Sequence, residues 1–145
     1  MEKRYLENLS KLADFLETEV KDHQFDMEHY MLRENGLVAV CEEVPECGTV
    51  GCAIGWASSL FFNDAMDSMY WCDFSARVFG SSFFDDDLTW CFLFDADWAK
   101  SPKSSRKDTI NRIRKFIRQG GVLTPYDVRT MEKYNIGGLS FERLL

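Results

Sequence analysis

Residues 47–56 read Cys-Gly-Thr-Val-Gly-Cys-Ala-Ile-Gly-Trp. Two cysteines, three glycines and a threonine stand at the start of an apolar run. The spacing predicts a helix over 49–62 with Thr49 as its N-cap, because a threonine hydroxyl can accept a free N–H of the first turn. A glycine inside a helix costs roughly 0.8–1 kcal/mol relative to alanine. Gly51 and Gly55 therefore call for a close neighbour. Val50, Ala53, Ile54, Trp56, Ala57, Leu60 and Phe61 form a broad apolar arc on the wheel. Gly51, Gly55, Ser58 and Ser59, with Cys52 beside them, form a second face of small residues. A helix apolar on one side and small on the other is buried on both. The stretch thus predicts a mainly α, single-domain helical bundle over 1–145, built around a central small-residue helix.

The flanking sequence fits that frame. Leu6, Leu9, Leu12, Ala13, Leu16 and Val20 recur at helical spacing, which predicts an amphipathic helix over 3–21. Leu37-Val-Ala-Val-Cys41, after Asn35-Gly36, is the best strand or hairpin candidate. Met69 to Phe79 reads as a helix stopped by Gly80. Asp85, Asp86 and Asp87 offer acidic first-turn positions to a helix through Leu88, Trp90, Leu93 and Phe94. Asp95-Ala-Asp97-Trp-Ala leads into a loop around Pro102. Ser104 or Ser105 caps a basic helix that runs to about Gln119 and ends at Gly120-Gly121. Thr124-Pro125-Tyr-Asp127 opens the last helix, with Val128, Met131 and Tyr134 inward. The tail Leu139–Leu145 is expected to dock its apolar residues on the body.

Composition bounds the function. The chain has 145 residues, 46% hydrophobic and 14% aromatic, enough for one folded core. No apolar run approaches the ~18 residues of a membrane span, and the N-terminus carries no apolar signal region. No membrane partner is expected, and the cytoplasm is the expected compartment. Five cysteines, an odd number, suit reduced core thiols better than a disulfide framework. The net charge is −7, which argues against generic nucleic-acid binding. The charge is segregated: Ala57–Ala99 holds eight acids and one base, and Lys100–Arg118 holds eight bases and one acid.

Three features occur in order along the chain. The first is Leu9-x-x-Leu12-Ala13-x-Phe15-Leu16, followed by Phe25-Asp26-Met27. The second is the 47–57 stretch, followed by Phe79-Gly80. The third is Leu93-Phe94, with Ile110-x-x-Ile113-x-x-Phe116-Ile117-x-x-Gly120 downstream. This order resembles a group of small uncharacterised bacteriophage and prophage proteins that carry a Cys-Gly-Thr-x-x-Cys-x-x-Gly-Trp-Ala motif. The resemblance spans residues 9–120. It implies a phage or mobile-element origin, and no catalytic residue comes with it.

The candidate chemistry is sparse. Cys47 at a helix mouth could be a reactive thiol, with His23 and His29 the histidines available as a base. Cys41, Cys47, Cys52 and the histidines could ligate zinc, but paired Cys-x-x-Cys knuckles are absent. Gly48, Gly51 and Gly55 with Thr49 could cradle a phosphate, but no Walker lysine accompanies them. Cys47, Gly48, Thr49, Gly51, Cys52, Gly55 and Trp56 therefore read as a packing motif, and no metal or cofactor is expected. The interaction surface is sought where the acidic block meets the basic helix, at Asp85, Asp86, Asp87, Asp95, Asp97, Lys107, Arg114, Lys115 and Arg118. The expected function is a non-enzymatic accessory protein that binds a host protein or complex, with inhibition of a host defence system as one role. A small metal- or thiol-dependent enzyme centred on Cys47 and Cys52 is the alternative. Nucleic-acid binding through the basic helix 105–118 is the weaker one.

Overall fold

A computed structural model describes residues 1–27, 52–68, 71–81 and 88–138. Helix takes up 73% of them and no strand is present among them, so the class is mainly α. Seven α-helices follow in order: α1 (Lys3–Thr18), α2 (Ala53–Leu60), α3 (Phe62–Met66), α4 (Trp71–Phe79), α5 (Leu88–Phe94), α6 (Arg106–Arg118) and α7 (Pro125–Lys133). Short 3-10 helices cover Asp22–Gln24, Ala96–Lys100 and Ile136–Gly138. The strand expected at 37–41 and the tail 139–145 lie outside the described residues.

The principal pairing joins α1 and α6. Leu9, Leu12, Ala13 and Leu16 are fully buried on α1, and Ile113 and Phe116 on α6, with Ile110 nearly so. Burying each such aliphatic or aromatic side chain is worth about 1.5–3 kcal/mol. The pair runs antiparallel. At one end the Arg106 guanidinium donates to the carbonyls of Leu16 (2.8 Å) and Glu17 (3.3 Å), groups that the end of α1 leaves open. At the other end Gly121, with φ +78°, passes so close that a Cβ there would lie 2.7 Å from Met1 Cβ.

The central helix is present but shorter than its spacing predicts. It starts at Ala53, because Cys52 holds an extended ψ of 179°. The cap is therefore Cys52; Thr49 lies outside the described residues. The helix stops at Leu60, where Phe61 turns out of helical geometry (φ −110°, ψ 51°) and the chain restarts as α3. That break lets the Phe61 ring meet Phe79 edge-on, with centroids 5.8 Å apart. Every residue from Cys52 to Ser58 is buried. The Trp56 indole donates to the Gln24 carbonyl at 2.9 Å and packs beside Phe15.

The remaining helices close one core. Asn8 on α1 donates to the Val78 carbonyl at the end of α4 (2.7 Å), and Gly80 ends α4 with φ +69° as expected. Helix α5 is seven residues long, and Trp90, Phe92, Leu93 and Phe94 are all buried. It links Phe79 (5.4 Å from Phe94) to Phe116 (6.5 Å from Phe92). The segment leading into the loop around Pro102 forms, ahead of that loop, the 3-10 helix Ala96–Lys100. Asp95 caps it by accepting from Asp97 N at 2.8 Å, and Trp98 is buried completely with its indole bonded back to the Cys91 carbonyl.

Because α2 is enclosed on all sides at Gly55, Gly55→Leu overpacks it. A loss of about 1–3 kcal/mol is expected, read as a lower melting temperature.

Candidate functional site

Of the charged candidates, Asp95, Asp97, Arg114 and Lys115 have local partners in the fold. Arg114 pairs with two carboxylates of α1, Asp14 at 3.0 Å and Glu17 in a closer contact. These bonds from Arg114 hold the Glu17 carboxyl below the usual carboxylate range. Arg106 pairs with Asp22 at 3.0 Å. Two bases of α6 thus serve the α1 interface. Asp95 caps the 3-10 helix, and Asp97 accepts from Gly137 N at 3.0 Å. Burial pushes the Asp95 carboxyl upward. Lys107 and Arg118 are exposed. Asp85, Asp86 and Asp87 lie outside the described residues, as do Cys47, Gly48, Thr49, Gly51, Cys41 and His29.

Of the thiol and metal candidates, Cys52 and His23 are among the described residues. Burial pushes the Cys52 thiol up to about 11, so at neutral pH it is a protonated packing group. His23 is exposed. Among the described residues no group of three or more His, Cys, Asp or Glu side chains is placed to hold a metal ion.

A different site emerges between α6 and α7, on the side of α6 away from α1. It is a cleft of about 200 Å³ whose wall includes Phe92, Trp98, Lys103, Asp108, Asn111, Arg112, Lys115, Tyr126, Asp127 and Thr130. Two buried charged residues define it.

Asp127 is the first. Its residue is 1% exposed, which in a carboxylate demands partners. It has three: Lys115 Nζ, Gln119 Nε2 (2.9 Å) and Thr124 N (2.9 Å); in return the Asp127 backbone N–H donates to Thr124 Oγ1 (3.2 Å). Burial pushes the carboxyl upward, but the bonds from Lys115, Thr124 and Gln119 outweigh it and hold the group below its ordinary value. The sequence identified the cap at Thr124-Pro125-Tyr-Asp127; that the cap residue also ties α6 to α7 is added by the fold.

Arg112 is the second, and sequence reasoning passed over it. It is 6% exposed. Its guanidinium lies 4.0 Å over the Trp98 ring, Nη1 donates to the Lys103 carbonyl (2.6 Å) and Nη2 to Thr109 Oγ1 (3.1 Å). Nε is buried without a hydrogen-bond partner. No carboxylate among the described residues is within ion-pair distance. Burial pulls the pKa down to about 9, with Asp108 opposing, and the group remains a cation at neutral pH. The signal for it is present in the sequence. Thr109, Arg112, Ile113 and Phe116 share one helix face, so an arginine interrupts the buried stripe.

Beside these two, Asp108 completes the Ser105 capping box, its Oδ2 accepting from Ser105 N at 3.4 Å and also from Ser105 Oγ at 2.8 Å. The Lys115 ammonium sits 4.8 Å over the Tyr126 ring, and Tyr126 itself is 64% exposed. Lys115 is therefore engaged twice, while Arg112 keeps N–H groups uncommitted.

Compared with protein-family models, curated proteins and solved structures, the chain matches none. No helix of the described residues is long and apolar enough to cross a membrane.

Asp127→Asn keeps the shape of the cap and removes the charge. A loss of about 1.5–3 kcal/mol at neutral pH is expected. The folded-state pKa is depressed, so the contribution is complete above the unfolded value of about 3.9 and disappears as pH falls through the lower folded value. Denaturation of both proteins as a function of pH should show the gap closing below pH ~4.

Proposed function

We propose that this chain is a non-enzymatic accessory protein of a phage or mobile element that acts by binding a host protein or complex, a component of host defence being the leading class of target. The observation that carries the reading is Arg112: a buried cation with no carboxylate within ion-pair distance among the described residues, in the wall of a cleft open to the surface. An unpaired buried charge lowers stability. Its presence is explained if a partner supplies the missing acid. The surrounding polar groups support binding over catalysis, since Asp127, Asp108 and Lys115 are each held in capping or cross-helix bonds. The motif order from Leu9 to Gly120 supports the phage origin, and the host cytoplasm is the corresponding compartment. Nucleic-acid binding through 105–118 is less well supported, because Arg106 and Arg114 are spent on α1.

The tagged chain, expressed in its natural host and washed with rising salt, should retain a protein at low salt that leaves as salt rises. The same capture with Lys103→Glu should lose it. Recovery of no salt-sensitive protein, or equal recovery with Lys103→Glu, would count against the reading.

A further inference from the structure

The cleft also indicates the chemistry of what it takes. Its charges do not sum to a strong positive field. Lys115 is matched by Asp127, and Asp108, one helical turn before Arg112, is also in the wall. One net positive charge is left, which suits a monoanion and disfavours a dianion flanked by two carboxylates. Arg112 carries a planar guanidinium, a group that matches a carboxylate; Nη1 and Nη2 each keep a second N–H beyond their bonds to the Lys103 carbonyl and Thr109 Oγ1. The fork is held in place by Trp98 and by its bonds to Lys103 and Thr109, so little is lost in ordering it. At about 200 Å³ the cleft is smaller than the ~300–1,000 Å³ of pockets that enclose whole drug-sized ligands. It fits an end group that belongs to something larger.

We propose that the α6–α7 cleft receives a single carboxylate presented by a partner protein, held by the Arg112 guanidinium and the Lys103 ammonium. The carboxylate is an Asp or Glu side chain or a chain terminus; both offer the same planar group. The proposal rests on the partner-binding reading but fails separately from it.

The test is an NMR titration of the whole chain, following the Arg112 guanidinium N–H resonances. The probes are N-acetyl-glutamate N-methylamide for a side-chain carboxylate, N-acetyl-glycine for a terminal one, N-acetyl-glutamine N-methylamide as the neutral control, and inorganic phosphate. At least one carboxylate probe should give saturable shifts in the millimolar range, and the one that binds tighter identifies the source. The neutral control should give none, and phosphate should bind more weakly. Arg112→Lys keeps a positive charge and loses the fork, so binding should weaken about tenfold or more. Lys103→Met, at an exposed site, should weaken it and reduce its salt dependence with the fold intact.

Absence of shifts with both carboxylates overturns the proposal, as does phosphate binding more tightly, or Arg112→Lys binding as well as the wild type. If Arg112→Lys still captures the host partner undiminished, the carboxylate seat falls and the partner reading stands. If the probes bind as expected but no partner is captured, the seat stands and the partner reading falls.

Discussion

Helix α6 packs against two bodies at once, and this constraint organises the molecule. Its inner stripe, Ile110, Ile113 and Phe116, meets the buried leucines of α1 and the α5 aromatics. On one flank Arg106 and Arg114 reach the carbonyls and carboxylates of α1. On the other, Arg112 and Lys115 reach toward the 3-10 helix 96–100 and α7. A helix that is packed on several sides cannot keep its charges as one solvated face. Arg106, Arg112, Arg114 and Lys115 are assigned by angular position to tertiary contacts, while Lys107 and Arg118 stay exposed.

The assignments differ in how complete they are. Arg114 has two acids and Lys115 has Asp127, while among the described residues Arg112 has a carbonyl, a hydroxyl and a ring. A desolvated cation–π contact is worth about 2 kcal/mol, and a hydrogen bond to a charged group about 1.5–3 kcal/mol. These are of the same size as the desolvation cost of several kcal/mol for a buried ion. A core serving stability alone would place an apolar side chain here. The departure from local consistency falls in the wall of the cleft, where the proposed binding role would account for it.

The sequence made the fold class legible because periodicity and punctuation agreed. The α1 leucines, the caps at Ser105 and Thr124 and the glycine stops at Gly80 and Gly120-Gly121 all sit where local rules place them. The extent of α2 was not legible. Thr49 offered a good cap, yet the backbone enters the helix only after Cys52, and Phe61 leaves it to meet Phe79; both are tertiary choices that a wheel does not contain. The cleft was hardest to foresee. Asp127 reads as an ordinary capping acid until its burial is known. Arg112 was hidden by its neighbours, because in a run with bases at 106, 107, 112, 114, 115 and 118 a single inward arginine is discounted. Only the packing against Trp98 separates it from the rest.

The central claim is that Arg112 is kept at a cost to stability, for a ligand. Chemical denaturation of Arg112→Met against the wild type tests it most directly, because methionine retains the packed stem and removes the buried charge. The account predicts a variant at least as stable as the wild type in the absence of any ligand. A loss of more than about 2 kcal/mol, of the size seen when a needed buried group is removed, would contradict it and make Arg112 a structural residue.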